Sequence, residues 1–146
     1  MDRKHAAQIS QLLNSQNQLV VEYNEDRILQ SNDNYLYVLS NSDDVIACVE
    51  LKRVQWYQFE ICHLTVAPEV RRKDYGSRLL KQCEECAKIK RGRVLQCTIR
   101  IDNQPSQKLF AKNGFVQVSQ FYYPDSGNSV EVWQKVISHS PKAEEK

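Results

Sequence analysis

The stretch LTVAPEVRRKDYGSRLL, residues Leu64 to Leu80, decides how the rest of the chain is read. It opens on β-formers, and Pro68 stops the strand. A basic run, Arg71, Arg72 and Lys73, then leads through Asp74, Tyr75, Gly76 and Ser77 into an apolar-striped segment. A strand, a basic loop and a helix start, in that order, turn backbone N–H groups and the positive end of a helix dipole toward the loop. An anion such as a pyrophosphate fits that environment, with three cations beside it. Any basic turn before a helix shares some of this character, so a solvated turn is the competing reading.

Upstream, the pattern predicts three strands spaced as an antiparallel meander: Tyr35–Leu39, Val45–Val54 and Gln58–Val66, with a turn at Asn41–Asp44. Ala6, Ile9, Leu12 and Leu13 form a helical stripe over residues 2–13, and Asn14–Asn17 reads as its stop. Residues 19–23 read as a short strand or the edge of a second helix, and 25–29 as a short helix. Downstream, a helix runs to about Arg91 on the stripe Leu79, Leu80, Cys83, Cys86/Ala87 and Ile89, with Gly92 as its C′ stop. A strand follows over Arg93–Ile101. Asn103 caps a helix that closes on Asn113-Gly114. Two last strands, Phe115–Phe121 and Val130–Ile137, flank a loop over Tyr122–Gly127. The order predicts an α/β fold: a mixed, mostly antiparallel sheet of six to seven strands with helices on both faces. One domain is expected over residues 1–138, with a polar, frayed tail at 139–146.

Composition narrows the function classes. The 146 residues carry 20 Lys+Arg against 18 Asp+Glu, a net charge of +2, which argues against a nucleic-acid or polybasic membrane partner. No apolar run approaches the roughly 18 residues of a membrane span. Met1–Gln8 lacks the apolar stretch of a signal peptide, so a cytoplasmic chain is expected. The five cysteines, an odd number, read as reduced thiols. Cys83 and Cys86 have CxxC spacing, but no second pair matches it. The reading is small apolar helix positions and no metal site.

The run from Leu64 to Leu80 resembles the acetyl-CoA signature of the GNAT superfamily of N-acetyltransferases: an apolar strand, R/Q-x-x-G-x-G/A, then an amphipathic helix. Arg71 takes the first position and Gly76 the last. Asn103 with Leu109-Phe-Ala-Lys-Asn-Gly-Phe115 resembles the family's second signature, N…LY-x-x-x-GF. Together the two cover about half of the chain, in the family's order and separation. The resemblance implies direct transfer of acetyl from acetyl-CoA, as co-substrate, to an amine. It implies a cofactor lying where the strand ending near Val66 splays from the strand ending near Thr98. The pantetheine arm pairs with backbone at Leu64, Thr65 and Val66. The pyrophosphate rests on the N–H groups of Arg72, Lys73, Asp74, Tyr75, Gly76 and Ser77, next to Arg71. Asn103, Ser106 and Phe110 belong to the cofactor side of the second helix.

Amine acylation sets further demands. A lysine-type amine has a pKa near 10.4 and attacks only when neutral, so a base nearby helps. The carbonyl oxygen gains charge in the transition state and needs a backbone N–H. Glu60, on the strand 16 residues ahead of Gly76, is the candidate base by its place in the histone-acetyltransferase branch; a solvent-facing strand-edge glutamate is the competing reading. His63, on the opposite pleat, is the second candidate. Three departures stand out. Asp74 replaces the first signature glycine, Phe110 replaces the tyrosine that usually protonates the thiolate, and Thr98 stands where ribosomal-protein N-terminal acetyltransferases place a base glutamate. Against the last, Phe121–Gly127 is similar to the Y-Y-P-x-x-G loop of those same enzymes. That similarity implies acceptor contact for Tyr122 and, for Tyr123, contact or a surrogate acid. Glu22, Tyr23, Glu25 and Asp26 form an acidic mouth suited to a cationic amine, or a solvated helix face. The expected function is N-acetylation of a primary amine on a small molecule, a lysine side chain or a protein N-terminus. The alternative is a catalytically weak acyl-CoA-binding or protein-interaction module of the same fold. A homodimer is common in the family.

Overall fold

Asp2 stands in extended backbone and its carboxylate accepts the His5 N–H, so the first helix, α1, spans Arg3–Gln16. The computed structural model describes residues 1–17 and 22–138. The stop expected over Asn14–Asn17 falls at its last residue, since α1 runs to Gln16 and is capped by Asn17. Asn14 Nδ2 donates to the Tyr23 carbonyl at 2.9 Å and Asn14 Oδ1 accepts the Tyr23 N–H at 3.1 Å. Its side chain therefore does not compete with the helix backbone, and α1 ends at the Asn17 cap. Asn24 caps α2 (Glu25–Gln30) through the Arg27 N–H. The strand or helix edge expected at 19–23 falls largely outside the described residues, as does the tail at 139–146.

The strands are β1 (Tyr35–Leu39), β2 (Val45–Arg53), β3 (Gln58–Val66), β4 (Val94–Arg100), β5 (Val116–Tyr123) and β6 (Asn128–Val136). They form one sheet in the order β1-β2-β3-β4-β6-β5. The β3/β4 pair is parallel, with Glu60 opposite Gln96. β1 is antiparallel to β2, and β6 is antiparallel to both β4 and β5. Two helices follow strands of the parallel pair: α3 (Tyr75–Ile89) after β3, and α4 (Gln104–Lys112) after β4. This is the mixed α/β sheet that the sequence pattern predicts.

The described chain divides into two compact units. The first holds Met1–Lys52 and Ile61–Cys83. Its core is the stripe of α1 (Ala6, Ile9, Leu12, Leu13) with Ile28, Tyr35, Val45, Cys48 and Ala67. The second holds Arg53–Glu60 and the residues from Glu84 onward, with Phe59, Leu95, Cys97, Ile99, Phe110 and Phe115 buried.

Several local expectations need correction. Ile89 is 83% exposed and not part of the α3 stripe, because two residues past buried Ala87 turn it about 200° away. Gly92 is not the left-handed stop of α3. Arg91 takes that conformation at φ 64°, and Gly92 serves a close approach instead. A Cβ there would sit 2.8 Å from two carbons of the Phe59 ring. Tyr122 and Tyr123 are not loop residues but the last residues of β5, opposite Ser129 and Asn128. At the end of α4 the expected Asn-Gly cap is present. Gly114 has φ 89°, and the Phe115 N–H reaches back to the Phe110 carbonyl at 3.0 Å. The two phenyl rings close that turn edge to face, with centroids 5.0 Å apart.

Candidate active site

In the first unit, the loop between β3 and α3 has two non-glycine residues in the left-handed region, Arg72 at φ 77° and Asp74 at φ 63°. Alternating backbone hands turn successive N–H groups toward one side and create an anion-binding concavity. Among the described residues, the N–H groups of Arg72, Lys73, Tyr75 and Gly76 have no backbone partner. Asp74 thus occupies the first-glycine position with the conformation a glycine would favour, and Asp is among the residues that tolerate it. The side chains of Arg71, Arg72, Lys73 and Asp74 are exposed, whereas Gly76 is buried. Arg71 is fixed locally: Nη2 donates to Gln16 Oε1 at 2.9 Å and Nε to the Val66 carbonyl at 3.4 Å. Thr65 is buried, and its hydroxyl donates to the His63 carbonyl and accepts from Asn17 Nδ2. Leu64 and Val66 are half-buried, as is Ser77.

The same unit joins Tyr23 to His63. The Tyr23 hydroxyl and His63 Nε2 are hydrogen-bonded at 2.9 Å, their rings meet edge to face, and Arg27 lies 4.2 Å over the Tyr23 ring. Burial, helped by Arg27, holds the His63 imidazole below its usual pKa. Burial holds the Tyr23 phenol above its own. His63 itself has φ 56°, so the simple alternation of pleats does not carry across it. Glu22 is exposed. Glu25 and Asp26, the other half of the expected acidic mouth, both lie on Arg3, at 3.4 and 3.0 Å.

In the second unit, Glu60 is half-buried on β3. Gln96 Nε2 donates to its Oε1 at 3.1 Å, and Gln134 Nε2 donates to Gln96 Oε1 at 2.7 Å. Burial raises the Glu60 pKa, and the Gln96 bond opposes that rise. Thr98 is exposed on β4. Asn103 caps α4 by accepting the Ser106 N–H at 3.3 Å. Phe110 is 5% exposed and packs on Phe115. Tyr122 and Tyr123 are exposed on β5. The loop residues and Tyr23 therefore belong to one unit, and Glu60, Asn103, Ser106 and the two β5 tyrosines to the other. Sequence reasoning missed Gln96, Gln134 and Arg27. The available signal for Gln96 was a polar residue set within the apolar run Val94–Ile99.

The sequence profile of the acetyltransferase (GNAT) family matches residues 6–115. A Bacillus subtilis protein that carries the name of a ribosomal-protein alanine N-acetyltransferase is 31% identical over 70 residues, 47% of this chain and 46% of that protein. The chain thus spans about half the length of the curated relative it matches. Among solved structures, a chain of the NatC complex bound to Gag peptide and CoA superposes with a TM-score of 0.83 at 14% identity, covering 94% of this chain and 93% of that one. The acetyl-CoA-bound structure of yncA from Salmonella typhimurium gives 0.82 at 16% identity, covering 97% and 93%. At such identities the structural matches establish the fold.

Proposed function

The chain belongs to the acetyltransferase (GNAT) family, and from that premise we propose that it transfers acetyl from acetyl-CoA directly to a primary amine. The carrying observation is the β3–α3 loop, where two left-handed residues stand among N–H groups of Arg72, Lys73, Tyr75 and Gly76 that have no backbone partner among the described residues, at a helix start. In this reading those N–H groups hold the diphosphate, with Arg72 and Lys73 adding charge. The backbone of Leu64–Val66 pairs with the pantetheine arm. Asn103 and Ser106 contribute from α4.

Glu60 is the base. Its half-burial among uncharged neighbours makes it a better proton acceptor than an exposed carboxylate. It takes the proton of the ammonium, directly or through water, and the neutral amine attacks the thioester carbonyl. The oxygen of the tetrahedral intermediate takes a backbone N–H. Phe110 has no proton to give, and a thiolate of pKa about 8.5 leaves more readily than an alkoxide. Tyr123 is the surrogate donor, and Tyr122, Tyr23 and Glu22 contact the acceptor. With Glu25 and Asp26 held by Arg3, the case for a polycationic acceptor weakens. The name of the ribosomal-protein alanine N-acetyltransferase relative favours a protein acceptor, and the peptide-bound neighbour agrees with it.

Thermal-shift titration with acetyl-CoA and CoA, followed by thiol release on peptides with free N-termini and on small amines, tests the reading. Stabilisation by CoA and release on peptides are expected. Glu60→Gln should lower kcat/KM about 100-fold and leave CoA affinity within about twofold. No stabilisation at millimolar CoA, or stabilisation without release on any amine, would overturn it.

A further inference from the structure

We propose that Gln96 and Gln134 are positioning residues for Glu60: a one-way ladder of hydrogen bonds from β6 through β4 to β3 holds one carboxylate oxygen and leaves the other for the acceptor's proton. The inference rests on Glu60 as the base, and it adds how that base is aimed.

Register sets the ladder. Glu60 stands opposite Gln96 across the parallel pair, and Gln96 opposite Gln134 across the antiparallel pair. Three polar side chains therefore share one rung. The adjacent rungs pair Val94 with Val136 and Thr98 with Val132. None of those four residues carries a charge. On β3 itself Gln58 flanks Glu60 on the same face. Burial and the Gln96 amide are the influences that act on the Glu60 carboxyl. No charged group on β4 or β6 competes with them.

Direction follows from chemistry. A carboxamide accepts at its oxygen and donates at its nitrogen. Gln96 commits its oxygen to Gln134 at 2.7 Å, so its nitrogen faces Glu60 at 3.1 Å. Turned over, Gln96 would set its oxygen against the carboxylate and its NH₂ against the NH₂ of Gln134. The acceptor-only carboxylate sets the sense of Gln96, Gln134 satisfies the Gln96 oxygen and keeps the side chain there, and Gln96 holds Oε1 of Glu60. Among the described residues Oε2 has no partner. A donor on Oε1 favours the ionised form, which burial disfavours. The ladder thus works against burial and favours the ionised form of a half-buried carboxylate.

The test is carboxyl-carbon NMR of the full chain labelled at glutamate, with the Glu60 signal assigned by its loss in E60Q. Gln96→Leu should move the Glu60 titration to higher pH. Gln134→Leu should move it the same way by less. The double variant should titrate as Gln96→Leu alone, because Gln134 acts only through Gln96. In kinetics, Gln96→Leu should lower kcat/KM about three- to tenfold on the acidic limb of the pH profile and converge with wild type on its alkaline side, with KM for acetyl-CoA unchanged. Gln134→Leu leaves β4 intact and keeps the test available if Gln96→Leu fails to fold. An unmoved Glu60 titration in either variant, or additive shifts in the double variant, would overturn the ladder. Wild-type turnover in E60Q would instead remove the base, and with it the catalytic meaning of the ladder. The NMR readout reports the ladder whether or not Glu60 is the base, so the two failures are separable.

Discussion

Arg72 holds φ 77°, a conformation that crowds the Cβ of any residue except glycine. Its side chain is exposed, so nothing in the fold's core requires an arginine there. Arg72→Gly should therefore raise unfolding stability by about 0.5–1 kcal/mol in denaturant titration. It should also weaken CoA binding about threefold by removing one exposed cation beside the diphosphate. Higher stability with unchanged CoA affinity would place the diphosphate elsewhere. The opposed signs separate what the loop contributes to folding from what it contributes to binding. Much of this site could be read from the one-dimensional sequence, because the strand, basic loop and helix start are contiguous. Asp74 looked like a departure from the signature, and the structure explains it, since aspartate tolerates the left-handed backbone that the position demands. Gln96 and Gln134 were hidden because they lie 36 and 38 residues from their partners, a spacing that only strand register turns into contact.

Strands β1 and β3 begin and end where the sequence pattern puts them, since runs such as YLYVL and QFEICHLTV are dense in β-formers and bounded by polar turns. Helix ends were harder to read, because they depend on which backbone group a polar side chain finds. Asn14 found the backbone of Tyr23, so within the expected stop Asn14–Asn17 it is Asn17 that caps α1. The end of α3 shows the same dependence: the Gly92 N–H bonds the Ala87 carbonyl at 2.7 Å while Arg91 takes the left-handed turn. Gly92 is then pinned by packing. The Phe59 ring on one side of it is 2% exposed, and Arg53 lies 4.7 Å over that ring. Arg53 is itself held by the carbonyls of Trp56 and Lys90, at 2.7 and 2.8 Å. The ring has little room to retreat. Gly92→Ala should cost about 1–3 kcal/mol by overpacking, visible as a lower Tm, while Gly127→Ala meets no atom within 4 Å and should show only the strain of its φ of 75°. Equal losses at the two sites would show that the Phe59 ring gives way to the added methyl and that its contact sets no demand for glycine at Gly92.

Stability against pH belongs to the whole chain, because every shifted group adds to one unfolding equilibrium. Glu50, buried on β2, has its carboxyl raised above 4.5 mainly by burial, against the pull of Lys52, Arg27 and a bond from Asn34. Glu60 is raised in the same sense. A carboxyl raised on folding leaves stability intact below about pH 4.5. That stability is lost as pH rises through the folded-state value, where the buried group must ionise. His63 has the opposite slope. Its folded pKa lies below 6.5, so stability is fully present above that pH and declines as the unfolded chain gains a proton that the folded chain resists. Between about pH 4.5 and 6.5 the two kinds of group oppose each other and flatten the wild-type curve. Glu50→Gln removes one carboxylate and leaves His63 in place. The variant should be more stable than wild type at pH 8, in chemical denaturation. That advantage should hold until pH falls to the folded-state value of the Glu50 carboxyl, then shrink and disappear below about pH 4.5, as the carboxyl takes up its proton in both states. Below that folded-state value the variant should lose stability more steeply than wild type, because the His63 contribution is then unopposed by Glu50. A constant offset between the two proteins across that range would show that Glu50 acts through packing alone and that its charge carries no part of the pH dependence.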